Sequence, residues 1–155
     1  MVRLLIHSPQ YLPNLSSMIR SAEFYGWTDI YIYDKYDLLK EPISKKERAN
    51  RAHMGRVWTA GALEYINFHI VKDDVAFLTE HTSRIVGLIL DPTAHKLSDF
   101  NFEDGDLVLV GNERDGLPDR VVDILTDKIY IPQKGNTSCL NVAVTFGIVL
   151  QKVVS

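Results

Sequence analysis

The sequence predicts an α/β domain with a mainly parallel sheet and helices on both faces. Short apolar, β-rich segments alternate along the chain with segments of helical spacing, and this alternation is typical of α/β folds. The segments RIVGLIL (residues 84–90) and DLVLVG (residues 106–111) carry the strongest strand signal. At 155 residues the chain is long enough for one domain with a hydrophobic core but not for two domains. We therefore assign residues 1–155 to a single domain.

The N-terminal segments follow the same alternation. VRLLIH (residues 2–7) is a short apolar run suited to a buried strand. Pro13 precedes NLSSMIRSAEFYG, in which the apolar residues recur at helical spacing, and Gly26 closes this predicted helix. DIYIYD (residues 29–34) alternates and is rich in β-formers, which predicts the next strand.

A polar, basic connection is predicted from Lys35 to about Arg56. It is too long for a simple turn, and long connections are often functional. Its segment SKKERANRAHMGR holds the densest group of basic side chains in the sequence: Lys45, Lys46, Arg48, Arg51, His53 and Arg56. Two interpretations are open: a solvated loop or helix face, and a local surface that contacts RNA phosphates.

The rest of the chain predicts further strands and helices. The strands are EYINFHIV, RIVGLIL, DLVLVG and KIYIP, at residues 64–71, 84–90, 106–111 and 128–132. A helix at 73–82 begins at an aspartate cap, and a helix at 118–126 has a proline in its first turn.

The last element, residues 139–153, is predicted to be a helix, although it is rich in β-branched residues. Its length and the placement of Ala143 and Gly147 favour a helix. Such a helix is apolar on nearly every side, so one face can meet the sheet and the other needs a second burial partner. A second copy of the chain is the simplest candidate, and we expect a homodimer.

Composition excludes several classes of protein. The apolar runs are too short for a membrane span, and His7 and Pro9 come too early for a signal peptide. One cysteine permits no internal disulfide, and the five histidines lack metal-ligand spacing. We therefore expect a cytoplasmic protein without a metal. The net charge of −3 argues against a surface that is basic throughout, but it permits a local RNA-binding patch.

Three predicted strand ends carry loops rich in small and polar residues. These are LILDPTAH around Leu90, LVGNERDGLP around Gly111 and YIPQKGNTSCLN around Ile131. Ligands of open α/β sheets bind at the carboxyl ends of strands, and glycine lets the backbone approach a ligand closely. Each loop alone also fits ordinary turn chemistry. No dinucleotide or triphosphate fingerprint is present.

Three motifs in order point to a family. An Asn followed at a distance by Arg appears as Asn14 and Arg20, with Ser16 where a glycine is frequent. A strand ending in Gly-Asn-Glu and then Gly-Leu appears in LVLVGNERDGLP. Ile-Pro followed by Ser-Leu-Asn appears in IPQKGNTSCLNVAV, with Cys139 in place of the serine. Together these segments resemble the SpoU (TrmH-like) family of the SPOUT methyltransferases, and the resemblance covers essentially the whole chain.

The resemblance implies a fold, a reaction and a cofactor. The C-terminal part would thread into a trefoil knot, a rare exception to unknotted topology. The reaction would be methylation of a ribose 2′-hydroxyl in tRNA or rRNA by S-adenosylmethionine. The cofactor would lie in the knot, held largely by backbone groups of the three loops. By this resemblance the cofactor-binding residues are Leu90, Gly111, Asn112, Ile131, Cys139 and Leu140.

The resemblance also implies catalytic residues. Arg20 would bind an RNA phosphate and stabilise developing alkoxide charge, since a guanidinium is a poor proton acceptor. Asn14, Glu113 and Asn141 would orient the reacting groups or order the loops. Ser138 would supply the hydroxyl that Cys139 lacks. In the family the site is assembled across the dimer, with the arginine facing the other subunit's cofactor. The expected RNA-binding residues are Arg20, Lys45, Lys46, Arg48 and Arg51.

Two rival interpretations remain. One is a catalytically impaired RNA- or cofactor-binding protein with the same fold. The departures from the family motifs at Ser16 and Cys139 favour this interpretation. The other is a small α/β enzyme acting on a free metabolite, for which the net charge of −3 would be natural. The second has to treat three ordered motifs as coincidence.

Overall fold

A seven-stranded sheet forms the centre of the protein, whose computed structural model describes all residues, 1–155. The strand order is β3-β2-β1-β6-β4-β7-β5, and every strand pairing is parallel. The strands are β1 (Arg3–His7), β2 (Asp29–Tyr33), β3 (Asn67–Ile70), β4 (Ile85–Leu88), β5 (His95–Lys96), β6 (Leu107–Val110) and β7 (Asp127–Tyr130). The prediction of an α/β fold with a mainly parallel sheet is confirmed.

Helices cover both faces of the sheet, as predicted. They are α1 (Leu12–Phe24), α2 (Lys45–His53), α3 (Asp74–Thr79), α4 (Asp119–Val122) and α5 (Val142–Val154). Side chains alternate between the two faces of a strand, so Leu4 and Leu5 of β1 join different cores. Leu4 belongs to the larger core, of 22 buried residues, with side chains of α1 and α5. Leu5 belongs to the smaller core, of 8, with side chains of α3 and α4.

Helices α1 and α5 pack against each other on the larger face. Pro13 lies in the first turn of α1, where its missing N–H costs nothing, and the chain leaves this helix through Gly26 at φ +97°. Asn141 caps α5, because its Oδ1 accepts hydrogen bonds from the backbone N–H groups of Ala143 and Val144. The prediction of a C-terminal helix is confirmed, with its first residue at Val142 rather than 139.

The segment from Lys35 to Arg56 differs from the prediction. Half of it is helical, because α2 occupies Lys45–His53 and a π-helical turn follows at Met54–Trp58. No residue of α2 is buried, so the sequence shows no apolar periodicity there. Ser44 caps this helix by accepting a hydrogen bond from the backbone N–H of Glu47.

Other boundaries also move. The predicted strand at 64–71 is shorter, since Ala62–Glu64 form a 3₁₀ turn and β3 begins at Asn67. The predicted helices at 73–82 and 118–126 shorten to α3 and α4. Strand β5 was not predicted, because two residues are too short to give a pattern. A 3₁₀ turn at Leu97–Asp99 follows it.

The topology places three neighbouring strand ends together. Strands β6, β4 and β7 are adjacent and parallel, so the loops that follow them leave from the same edge of the sheet. The trefoil knot stays a prediction, with which this arrangement is consistent. No helix is both long enough and apolar enough to span a membrane.

Candidate functional site

A cavity of about 550 Å³ opens at the carboxyl ends of β4, β6 and β7. Of its 21 lining residues, 10 are hydrophobic, and this mixture and volume fit a small organic ligand. The cavity is lined by all of the residues that the resemblance assigns to the cofactor: Leu90, Gly111, Asn112, Ile131, Cys139 and Leu140. The structure therefore brings the three predicted loops together, while the binding role of each residue stays a prediction.

Gly111 allows the chain to double back against itself at the cavity wall. A Cβ added at Gly111 would lie 2.3 Å from the carbonyl carbon of Gly116 and 2.6 Å from the nitrogen of Leu117. Both neighbours are backbone atoms, so no side-chain movement can make room. Asn112 and Gly116 pair through two backbone hydrogen bonds, and Gly116 has φ +66°. Glycine at these positions thus fixes a tight turn in the cavity wall.

Asn112 fastens this turn to the neighbouring loop. Its side chain is buried and its Nδ2 donates to the carbonyl oxygen of Ser8 at 2.7 Å. Its Oδ1 accepts from the backbone N–H groups of Arg114 and Asp115. Because a buried amide without partners is costly, Asn112 holds the turn in one position relative to the end of β1.

Three of the predicted catalytic residues form one hydrogen-bonded chain. Asn141 donates through Nδ2 to Asn14 Oδ1 at 3.3 Å, and Asn14 donates through Nδ2 to Glu113 Oε1 at 3.4 Å. The Glu113 carboxylate also accepts from the backbone N–H groups of Gln10 and Tyr11 at the start of α1. A negative charge is favourable at a helix N-terminus. The chain therefore connects the cavity wall, α1 and the cap of α5.

The other two predicted catalytic residues, Ser138 and Arg20, form no hydrogen bond with this chain. Ser138 and Cys139 line the cavity, and both side chains are exposed. Cys139 is therefore an accessible thiol rather than a buried one. Arg20 is exposed on α1 and does not line this cavity. Ser16 is fully buried and donates from its hydroxyl to Leu12 O, a bond within the helix that occupies the hydroxyl.

The predicted RNA-binding residues of α2 have different surroundings. Lys45 and Lys46 are exposed at the start of the helix, and neither forms a hydrogen bond or an ion pair through its side chain. Arg48 is exposed and donates to Ile43 O. Arg51 is half-buried and donates to the carbonyl oxygens of Leu38 and Lys40 at 3.0 and 2.8 Å. Arg51 thus ties α2 to the preceding loop.

A polar cluster of His7, Asp74 and Arg120, in which His7 and Asp74 are buried, was missed in the sequence. His7, at the end of β1, lies 2.8 Å from Asp74 Oδ2, and Arg120 donates to the same carboxylate at 2.7 Å. Burial lowers the pKa of His7 below its usual 6.5, and Asp74 offsets this only in part. Burial raises the pKa of Asp74, but hydrogen bonds from Arg120 and His7 outweigh it and lower that pKa overall. The three residues are far apart in sequence, so no local pattern connects them.

Two residues beside Glu113 were also missed. Arg114 lines the cavity with its side chain exposed, and Tyr11 lies at the start of α1 with 58% of its surface exposed. Arg114 lies inside the GNERDGL motif itself, so its position was available from the sequence. Tyr11 gave no signal, because its closeness to Glu113 depends on the fold.

The chain matches the model of the SpoU rRNA methylase family over residues 1–151. It is also similar to a tRNA (guanosine(18)-2′-O)-methyltransferase of Aquifex aeolicus, with 27% identity over 140 residues. This match covers 88% of the chain and 61% of that relative. The chain therefore spans about six tenths of the length of this curated relative.

Solved structures share the fold. The A. aeolicus TrmH/SpoU tRNA modifying enzyme superimposes with a TM-score of 0.81 at 23% identity, covering 97% of this chain and 72% of that one. An AdoMet-bound rRNA methyltransferase from Sinorhizobium meliloti superimposes with a TM-score of 0.77 at 19% identity, covering 97% and 54%. At these identities the structures establish the arrangement of strands and helices.

Proposed function

We propose, because the chain belongs to the SpoU rRNA methylase family, that it transfers a methyl group from S-adenosylmethionine to a ribose 2′-hydroxyl of tRNA or rRNA. One observation carries this proposal: three loops that are distant in sequence line one cavity, with all of the expected cofactor residues in its wall. The chain spans only part of its curated relative. Activity and RNA substrate are therefore proposals for this chain.

The cavity suits S-adenosylmethionine in size and in chemistry. Its volume of about 550 Å³ lies within the range of small-molecule sites. The wall of Leu90, Ile131 and Leu140 is apolar, and the Gly111 turn leaves its backbone uncovered by a side chain. When bound, the cofactor supplies an electrophilic methyl group on its sulfonium. The proposed knot would hold the third loop against the other two.

The polar chain of Asn141, Asn14 and Glu113 is proposed to position the reacting groups. Glu113 accepts hydrogen bonds from Asn14 and from the backbone N–H groups of Gln10 and Tyr11. Its role is then to keep the start of α1 against the cavity wall. Methyl transfer gains most of its rate from such positioning, because the hydroxyl has to approach the methyl group in line.

Arg20 is proposed to act on the cavity of a second subunit. It is exposed and lies outside the cavity of its own chain, so it needs another copy to meet a cofactor. Helix α5 leaves Val144 and Ile148 exposed at 51% and 41%, one turn apart on the same side. Burial of this apolar surface by a twin chain would bring α1 of one subunit near the other. There the guanidinium would bind an RNA phosphate and stabilise the developing alkoxide. The hydroxyl proton would pass to water as the bond from oxygen to the methyl group forms and the bond from sulfur to the methyl group breaks.

The exposed cations at the start of α2, Lys45 and Lys46, are proposed to contact RNA phosphates, with Arg48 beside them. Such contacts carry no sequence information and weaken as salt rises. Membership of an RNA-modifying family supports the cytoplasmic location that the sequence predicts.

A catalytically impaired relative is the second candidate. Cys139 lines the cavity where the family has serine, and a thiol forms weaker hydrogen bonds than a hydroxyl. If the serine hydroxyl were essential and Ser138 did not replace it, the chain would bind the cofactor without transferring its methyl group. Restoring the residue with Cys139→Ser would then raise activity from zero.

Ribose-methylation mapping of tRNA and rRNA, in cells with and without the gene, tests the proposed function. We expect at least one 2′-O-methylated position to disappear on deletion and to return with the wild-type gene. It should not return with Arg20→Ala. Unchanged maps of both RNA classes would contradict the proposal.

A further inference from the structure

We propose that Tyr11, whose backbone N–H donates to Glu113, and Arg114, which follows Glu113 in the cavity wall, hold the target nucleotide of the RNA. Tyr11 stacks on its base, and Arg114 binds a phosphate next to it. This assignment rests on the proposed function, since it takes RNA as the substrate.

Tyr11 has no structural role that explains its ring. It occupies the N-cap position of α1, where serine, threonine, aspartate or asparagine would normally supply a capping oxygen, and its side chain makes no capping hydrogen bond. Its backbone N–H is held by Glu113 Oε1 at 3.3 Å, so Glu113 does part of the work of a cap. The ring is 58% exposed and has no aromatic partner among the stacked pairs of the chain.

Arg114 is a free cation in a fixed place. Its backbone N–H donates to Oδ1 of the buried Asn112 side chain at 2.7 Å, and this hydrogen bond fixes the position of the Arg114 backbone. Its guanidinium forms neither an ion pair nor a hydrogen bond, unlike those of Arg84 and Arg120, which are bound to Asp106 and Asp74. A guanidinium that is free and lines the cavity is suited to bind a phosphate through two parallel hydrogen bonds.

The reaction needs both kinds of contact. If the target nucleotide leaves the stack of its neighbours to bring its ribose hydroxyl into the cavity, the unstacking costs a few kcal/mol. An exposed aromatic ring recovers part of this cost, because every base has a face that can stack on it. A phosphate contact at Arg114 then limits how far the ribose can rotate. The backbone N–H of Arg114 donates to Asn112 in the turn, and the backbone N–H of Tyr11 donates to the Glu113 carboxylate.

Binding and turnover of single variants test the pair. The RNA is the tRNA and rRNA fraction of cells that lack the gene, and affinity is measured over a range of salt concentrations. We expect Tyr11→Leu to weaken RNA binding roughly tenfold and Tyr11→Phe to stay within about twofold of wild type, since phenylalanine still stacks. Arg114→Ala should reduce the slope of log affinity against log salt concentration by the amount that one phosphate contact contributes, and Arg114→Lys should leave this slope unchanged.

Matched controls are an exposed tyrosine and an arginine elsewhere. Tyr65 follows the 3₁₀ turn at Ala62–Glu64 and is 64% exposed. Arg3 lies at the amino end of β1, whereas the cavity lies at the carboxyl ends of the strands. Tyr65→Leu and Arg3→Ala should bind RNA as wild type does. The Tyr11, Tyr65 and Arg3 variants should bind S-adenosylmethionine, titrated alone by calorimetry, with unchanged affinity, because none of these residues lines the cavity.

The outcomes separate the two proposals. RNA binding by Tyr11→Leu and Arg114→Ala at the wild-type affinity and salt slope would overturn this assignment alone. Dissociation of a wild-type dimer by Tyr11→Leu would assign the ring to a subunit interface and would also overturn it. If the wild-type protein neither bound nor methylated RNA, the proposed function itself would fail.

Discussion

Gly111 is the residue whose size constrains the cavity most directly. A methyl group there would meet the backbone of Gly116 and Leu117 at 2.3 and 2.6 Å, so the turn has to open. We expect Gly111→Ala to lower the affinity for S-adenosylmethionine at least tenfold, measured by calorimetry, with the far-UV circular dichroism unchanged. The affinity should fall because the cavity wall is displaced, and not because a contact between Gly111 and the cofactor is lost.

Gly135 provides a matched control in the same cavity wall. A Cβ added there would meet nothing within 4 Å, and the residue lines the cavity as Gly111 does. Gly135→Ala should therefore bind the cofactor within about twofold of wild type. Equal affinities for the two variants would mean that the Gly111 turn does not shape a cofactor site.

For single residues, the sequence predicted which side chains belong to one site but not which of them form hydrogen bonds with each other. The motifs placed Asn14, Glu113 and Asn141 in one site, and the structure brings them into one hydrogen-bonded chain. These partners are 99 and 127 positions apart, and their pairing depends on the packing of α1 against α5. His7, Asp74 and Arg120 belong to none of the motifs and could not be linked before the fold was known.

Among the elements, α2 departs furthest from the sequence prediction. Helices are recognised by apolar periodicity, and a helix without a buried residue has none. A local signal was available, because Ser44 and Glu47 have the spacing of a capping box. Glu47 indeed donates its backbone N–H to Ser44, while its carboxylate accepts from the backbone N–H of Ile43. Helix α5, by contrast, was predicted because its length and apolar character outweighed its β-branched residues.

The basic residues of α2 should separate into two classes on mutation. Changing Lys45 and Lys46 together to Ala should weaken RNA binding and lower its salt slope without affecting stability, because both side chains are exposed and unpaired. Arg51→Ala should instead lower the free energy of unfolding by about 1 kcal/mol, since two hydrogen bonds to carbonyl groups are lost. Filter binding and urea denaturation measure the two effects. An unchanged affinity after loss of both lysines would remove α2 from the RNA surface.

The pairing of α1 with a second subunit can be tested by mixing variants. Arg20→Ala lacks the arginine, and Gly111→Ala has a damaged cavity, so each protein alone should be inactive. If the site is composite, mixed dimers contain one intact combination and should recover about a quarter to a half of the wild-type activity. A mixture that exchanges subunits and stays inactive would exclude an arginine acting across the dimer.

For the whole molecule, strand patterns were sufficient to predict the central sheet. The inner strands β1, β4 and β6 are buried, and their apolar runs were recognised. The edge strands were harder to predict, because β3 has three of its four residues exposed and β5 has only two residues. The trefoil knot that the resemblance predicts concerns the path of the chain in space, which a residue pattern does not encode.

The buried His7 makes the stability of the fold depend on pH. Its pKa is lowered in the folded protein, so the unfolded chain binds more protons as the pH falls below 6.5. The stabilisation is complete above 6.5 and is lost towards the lowered pKa, at up to about 1.4 kcal/mol per pH unit for one proton. Urea unfolding of His7→Gln, which keeps an N–H for Asp74 but does not titrate, should show a shallower pH dependence. A slope equal to that of wild type would contradict this assignment.

Transfer of labelled methyl groups to RNA tests the central claim most directly. The purified protein is incubated with S-adenosylmethionine carrying a tritiated methyl group and with RNA from cells that lack the gene, and the RNA is then digested to nucleosides. We expect label in a 2′-O-methylnucleoside for wild type and for Gly135→Ala, and almost none for Gly111→Ala. Label on a base, or no label in RNA despite tight binding of the cofactor, would contradict it.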